Sequence, residues 1–195
     1  MQHSLHYTAI VAAALGLAAC AAPGDAFAPR AGISSDRAAA PPAQAVRVTG
    51  GGTTTFGADL DGDGDIDGSH FGFAAVIAGD GSAHGDFTCL MAGNANFLGL
   101  RLMAVQGPVT SGAPDGRSFS GTATVKVLNA FGPGVQSIFR DIPFAVVVTP
   151  GGPGVATLQL TVFGVFDGVA GDVAPGNGSY DLARETLTTG QITIH

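Results

Sequence analysis

Asp59, Asp61, Asp63, Asp65 and Asp67 alternate with Leu60, Gly62, Gly64 and Ile66 in one short run that ends at Gly68. Carboxylates this dense repel one another unless a cation lies among them. The chain carries a formal net charge of −7, and this run supplies five of its negative charges. Its spacing, Asp-x-Asp-x-Asp-Gly, is the opening of a calcium loop. Calcium takes about six to eight oxygen ligands, which carboxylates and backbone carbonyls supply. Counted from Asp59, carboxylates fall at positions 1, 3 and 5. Gly64 follows at position 6, where such a loop turns sharply. Asp65 stands where a backbone carbonyl binds, Ile66 where an apolar anchor is expected, and Asp67 where a ligand acts through water.

The run resembles the calcium loops of EF-hand, dockerin and thrombospondin type 3 proteins. The resemblance implies a structural calcium ion held by Asp59, Asp61, Asp63 and Asp67 with the Asp65 carbonyl. The twelfth position departs from those loops: it is His70, where they carry a bidentate acid. Imidazole offers no oxygen, so the expected affinity is weak, on the order of 10⁻⁴ to 10⁻³ M. The flanking segments read as strands, so no helix–loop–helix unit is expected. The competing reading is a solvated acidic hairpin.

Other chemistry is thinner. His84 and Asp86 share a strand face, and Cys89 follows closely, but a regular strand puts Cys89 on the opposite face from Asp86. That argues against a zinc site and for a small buried Cys89. The segments Gly116–Gly121 and Gly178-Ser179-Tyr180 are Gly/Ser turns without a strand-to-helix elbow for a nucleophile. Beyond the N-terminal region the histidines are His70, His84 and the terminal His195. The expectation is a non-catalytic protein. A glycan- or protein-binding surface module is the alternative, and an enzyme of unknown type the second alternative.

The elements that position these residues are strands. The chain has 195 residues, 31 of them Gly, and 46% are apolar, enough for one sizeable core. There is one Glu against fourteen Asp and one Lys against seven Arg, a scarcity of helix formers. The acidic balance leaves no basic footprint for nucleic acid. Val46 and Val48 alternate with Arg47 and Thr49, Gly50-Gly51-Gly52 breaks the pattern, and Thr53 to Phe56 resumes it. The segment 70–77 continues after the acidic loop. Further strands are expected at 84–91, 97–106, 118–128, 142–149, 155–166, 179–183 and 190–194. This predicts an all-β fold, a single antiparallel β-sandwich or barrel-like domain over 46–195, with the calcium-type loop at 59–70.

Before that domain, Ala9 to Ala19 forms an apolar run that suits a signal peptide and is too short to span a bilayer. It ends in Leu17-Ala18-Ala19-Cys20, which resembles the lipobox of bacterial lipoproteins. By that resemblance residues 1–19 are a signal peptide and Cys20 is the lipidated first residue of the mature chain. Residues 20–45 would be a flexible, disordered linker rich in Ala and Pro. The implied location is the bacterial cell envelope, as an outer-membrane lipoprotein whose membrane contact is its lipid anchor. Residues 2–8 hold no Lys or Arg, which departs from the signal pattern. Cleavage after Ala26-Phe27-Ala28 would instead give a secreted protein. Either way Cys89 has no disulfide partner. The early triple Gly, the Phe71-Gly72-Phe73 strand and the closing Gly190-Gln191-Ile192-Thr193-Ile194-His195 resemble a group of uncharacterised bacterial secreted domains. That likeness implies an all-β fold and supplies no catalytic residues to carry over.

Overall fold

The computed structural model describes residues 45–60, 62, 64–97, 100–128, 137–169 and 171–195. Residues 1–44, with the expected signal segment, Cys20 and all but the last residue of the expected linker, lie outside the described residues, as do Asp61 and Asp63. Among the described residues the fold is all-β: β1 Val46–Thr55, β2 Gly68–Ile77, β3 Ser82–Phe97, β4 Leu100–Gly112, β5 Ser118–Leu128, β6 Ser137–Thr149, β7 Thr157–Phe163, β8 Ser179–Asp181 and β9 Glu185–Ile194. All pairings are antiparallel, and β1 to β7 follow one another as a meander. β9 pairs with β1 on one side and with β7 on the other, so the sheet closes into a barrel-like ring. β8 and β9 are one interrupted strand against β7. Thr161 pairs with Asp181 and Leu158 with Glu185, so three steps on β7 face four on the partner, with the extra residue within 182–184.

Closure fits the sequence because the strands alternate cleanly. On β2, Ser69, Phe71, Phe73, Ala75 and Ile77 are buried, while His70 and Ala74 are exposed. On β7, Leu158, Leu160 and Val162 are buried between Thr157, Gln159 and Thr161. Inward rows therefore fill the ring, and aromatic rings bridge its walls. Phe73 lies 4.9 Å from Phe119, which lies 5.9 Å from Phe87, which lies 5.1 Å from Phe144 (centroid distances). These contacts link β2, β5, β3 and β6 through the interior. The outward rows carry hydroxyl pairs such as Thr49–Thr193 at 2.8 Å and Thr149–Thr157 at 3.0 Å, alongside exposed apolar side chains such as Leu90, Val147 and Phe163.

Three sequence expectations change. The triple Gly does not break β1; the strand runs through it. A Cβ on Gly50 would press into the Phe73 ring, and Gly52 has φ 150° with the Thr189 carbonyl where a Cβ would go. Glycine thus lets β1 pack close to its neighbours without ending it. The separate strands expected at 84–91 and 97–106 form a longer hairpin, because β3 and β4 keep pairing beyond the end of β2. The last strand starts at Glu185 rather than at 190, because Thr54 and Thr55 continue the β1 ladder to Leu187 and Thr186.

An antiparallel meander sends the β1–β2 and β7–β8 connections to the same end of the ring. The second of these, 164–178, is tied down by its own acids. Asp167 accepts from the Gly176 and Gly178 amides at 2.6 and 2.9 Å, and Asp172 from those of Gly168 and Ala174 at 2.7 and 3.0 Å. The Val173 amide donates to the Asp181 carbonyl at 3.0 Å. This covers an edge of β8 that would otherwise stand open.

Candidate functional site

The acidic run is the connection from β1 to β2. The Phe56 amide donates to the Asp67 carbonyl at 2.9 Å and closes the loop at its base. Phe56 is buried and Leu60 packs against the core, so two apolar side chains hang the loop from the ring. Ile66 is 57% exposed, so it is not the anchor that its position suggests. With the ladder closed at Asp67, Ile66 lies beyond the last rung, where no interior wall remains. Leu60 takes that role.

Asp59 organises the described part of the loop. Its Oδ1 accepts from the Gly62 amide at 2.7 Å and its Oδ2 from the Gly64 amide at 2.9 Å. Gly62 and Gly64 have φ of 77° and 104°, a region open to glycine at little steric cost. The chain thus curls around its first aspartate. Asp59 and Asp65 are exposed and Asp67 is half-buried. The donors present are carboxylate and carbonyl oxygens, which suit a hard cation. Among the described residues, no group of three or more His, Cys, Asp or Glu is gathered as for a metal ion. His70 is exposed on β2 opposite Thr53, in the ladder rather than in the loop.

Two residues inside the loop base lies a polar cluster that residue spacing does not single out. Glu185, the chain's one glutamate, is fully buried. The Ser69 hydroxyl donates to Glu185 Oε1 at 2.9 Å, and the Ser69 amide lies 3.1 Å from Oε2. Thr54 Oγ1 is hydrogen-bonded to Oε2, lies 3.1 Å from the Ser69 carbonyl, and accepts from the Ser69 amide at 2.9 Å. Burial raises the Glu185 carboxyl above its ordinary value, and the Thr54 and Ser69 hydrogen bonds oppose that in part. Only the parity of Glu185 with Leu187, against outward Thr186, marks it in the sequence as inward-facing.

Cys89 is 1% exposed on β3. Burial pushes its thiol well above the ordinary range; an ionised Glu185 would add to this, and a hydrogen bond with Ser69 opposes it. His84 and Asp86 are exposed on the other face of the same strand, so the structure does not bring the three together. Arg47, Val76 and His84 line a shallow outer groove of about 280 Å³. The 116–121 segment is the β4–β5 turn and the start of β5, where Asp115 caps the Arg117 amide at 3.0 Å. Ser179 and Tyr180 are buried in β8. No family model matches the chain, and no curated protein or solved structure matches it at a significant level.

Proposed function

We propose that the chain is a non-catalytic β-domain of the bacterial cell envelope, or a secreted one, whose β1–β2 loop binds a structural calcium ion through Asp59, Asp61, Asp63, Asp65 and Asp67. The supporting observation is the curl of the loop around Asp59, with left-handed glycines at Gly62 and Gly64 and the base closed at Phe56–Asp67. An ion there would neutralise clustered charge and fix the connection between two strands, with no bond-making step. Anchoring through Cys20 belongs to the same proposal and rests on the lipobox-like Leu17-Ala18-Ala19-Cys20.

The test is the thermal midpoint of the full chain in calcium, in magnesium and in chelator. A rise with calcium alone supports the reading, because a ligand that binds the folded state stabilises it by mass action. An unchanged midpoint would leave the loop a solvated turn. A second reading, a surface module for glycan or protein, draws on the outer groove of Arg47 and His84. Cell fractionation of a Cys20→Ala variant tests the anchor: an unchanged membrane fraction would remove it.

A further inference from the structure

Glu185 is an acid sealed inside an apolar ring, and among the described residues its company is hydroxyls and an amide, with no cation. Among the described residues the one ion pair within 4.0 Å is Arg117–Asp115, on the β4–β5 turn. The groups packed around Glu185 are Thr54 from β1, Ser69 from β2, its rung partner Leu158 from β7, and Cys89 from β3. Of these Cys89 alone titrates, and its ionised form would only add repulsion. The neighbouring basic side chains, Arg184 in the chain and His70 on β2, are exposed, and so turned away from the interior. A lone carboxylate in such a place has lost its water without gaining a counter-ion, which is costly.

The hydrogen count gives the same answer independently. Thr54 has one hydroxyl hydrogen, yet its oxygen is within bonding distance of two acceptors, the Ser69 carbonyl and Glu185 Oε2. An ionised Glu185 leaves the cluster one hydrogen short. A protonated Glu185 closes it: Oε2–H donates to Thr54 Oγ1, Thr54 donates to the Ser69 carbonyl, and the Ser69 hydroxyl donates to Oε1. Every hydrogen then has an acceptor and no net charge is buried.

We propose that the folded protein holds Glu185 as the neutral carboxylic acid and uses it as a latch joining β1, β2 and β9 at the foot of the acidic loop, so that raising the pH through its ionisation loosens that foot while the aromatic centre of the ring stays closed. The placement makes this a local device. Thr54 and Ser69 sit just inside the Phe56–Asp67 rung, whereas the Phe73, Phe119, Phe87 and Phe144 rings form the middle of the interior. The latch does not depend on whether the loop above it binds a cation.

A single glutamate makes the test direct. Carbon-13 labelling of glutamate Cδ in the full chain gives one side-chain carboxyl resonance, followed by NMR as the pH is raised. The expected result is a resonance held at its protonated position past the ordinary glutamate value of 4.5. A midpoint at that ordinary value in folded protein would overturn the proposal. The latch itself is read by amide hydrogen exchange at Ser69 and Phe56, comparing wild type with Glu185→Gln at each pH. Gln keeps a donor for Thr54 and never ionises. Above the wild-type midpoint these two amides should exchange several-fold faster in wild type than in Glu185→Gln, with the Phe87 amide unchanged between them. Equal rates at Ser69 and Phe56 at every pH would overturn the latch, even with a protonated carboxyl.

Discussion

Gly50 on β1 pairs in register with Phe73 on β2, and the Phe73 ring fills the space that a side chain on Gly50 would need. A Cβ built on Gly50 would lie 2.5 Å from Phe73 Cζ and 3.1 Å from Ile192 Cγ1. Phe73 cannot swing aside freely, because Phe119 packs against it at 4.9 Å with the rings tilted by 49°. Gly50→Ala should therefore cost about 1–3 kcal/mol by overpacking. Urea unfolding of the full chain should show a lower midpoint with an unchanged slope. A neutral outcome would mean that the ring relaxes at no cost.

The ring chain through the interior predicts a sharp contrast between two phenylalanines. Phe87 is 1% exposed and touches both Phe119 and Phe144. Phe87→Ala should cost about 3–5 kcal/mol, through lost transfer energy and the cavity left behind. Phe163 is 42% exposed on the outer face of β7, and Phe163→Ala should stay within about 0.5 kcal/mol. Equal losses in the two variants would contradict an interior organised around the bridging rings.

The contrast also shows which features could be read from residue order. Period-two alternation along β2 and β7 carries the inward and outward faces directly, and the all-β fold follows from it. The course of β1 through Gly50 to Gly52 could not be read, because a triple glycine looks like a break until Phe73 and Thr189 are known to lie against it. The acidic loop was legible from spacing, but its anchor was not. Leu60 and Ile66 are equally apolar, and the Phe56–Asp67 rung decides between them. Glu185 beside Arg184 looks like an ordinary surface charge pair. Its burial depends on closure of β9 against β1 and β7, a contact between distant parts of the chain.

Calcium should raise stability by an amount set by mass action. With a dissociation constant of about 10⁻⁴ M, about 10 mM calcium would add roughly 2.7 kcal/mol. For a chain of this size that is a rise of roughly 5–11 °C in Tm. Asp59→Ala should abolish the rise, because Asp59 both supplies a carboxylate and holds the Gly62 and Gly64 turn. Magnesium should give little, since it demands a tighter octahedral shell and sheds water reluctantly. A calcium response that survives Asp59→Ala would place the ion elsewhere.

Acid should weaken the 164–178 connection and β8, which follows it. The Asp167 carboxyl is held below its ordinary value by the Gly176 and Gly178 amides. Asp181 is also lowered: desolvation works against this, but hydrogen bonds from Ser179, Asn177 and Thr161 outweigh it. A depressed carboxyl stabilises the fold above its unfolded value, here 3.8, and that contribution is lost as the pH falls through the folded value. Glu185 has the opposite sign, with its contribution greatest in acid and lost as the pH rises through its raised value. Asp181→Asn should therefore flatten the acid limb of the stability profile below pH 3.8 and leave the alkaline limb intact. A change in the alkaline limb would show that the two ends of the profile are not separate.

Cys89 should be chemically silent while the ring is closed. Cys89 is 1% exposed, and burial pushes its thiol well above the ordinary range. Thiol reagents attack the thiolate, so reaction needs both an opening and a deprotonation that the interior opposes. In a Cys20→Ala chain Cys89 is the one remaining thiol. Labelling at pH 8 should then be slow without denaturant and accelerate steeply across the urea unfolding transition, because the global opening limits access. The labelling rate gives the opening free energy around Cys89, to be set against the global value from urea unfolding. Agreement between the two would place Cys89 in the most stable part of the ring. Rapid stoichiometric labelling of the folded chain would mean that β3 opens locally and that the interior beside Glu185 is not closed to solvent.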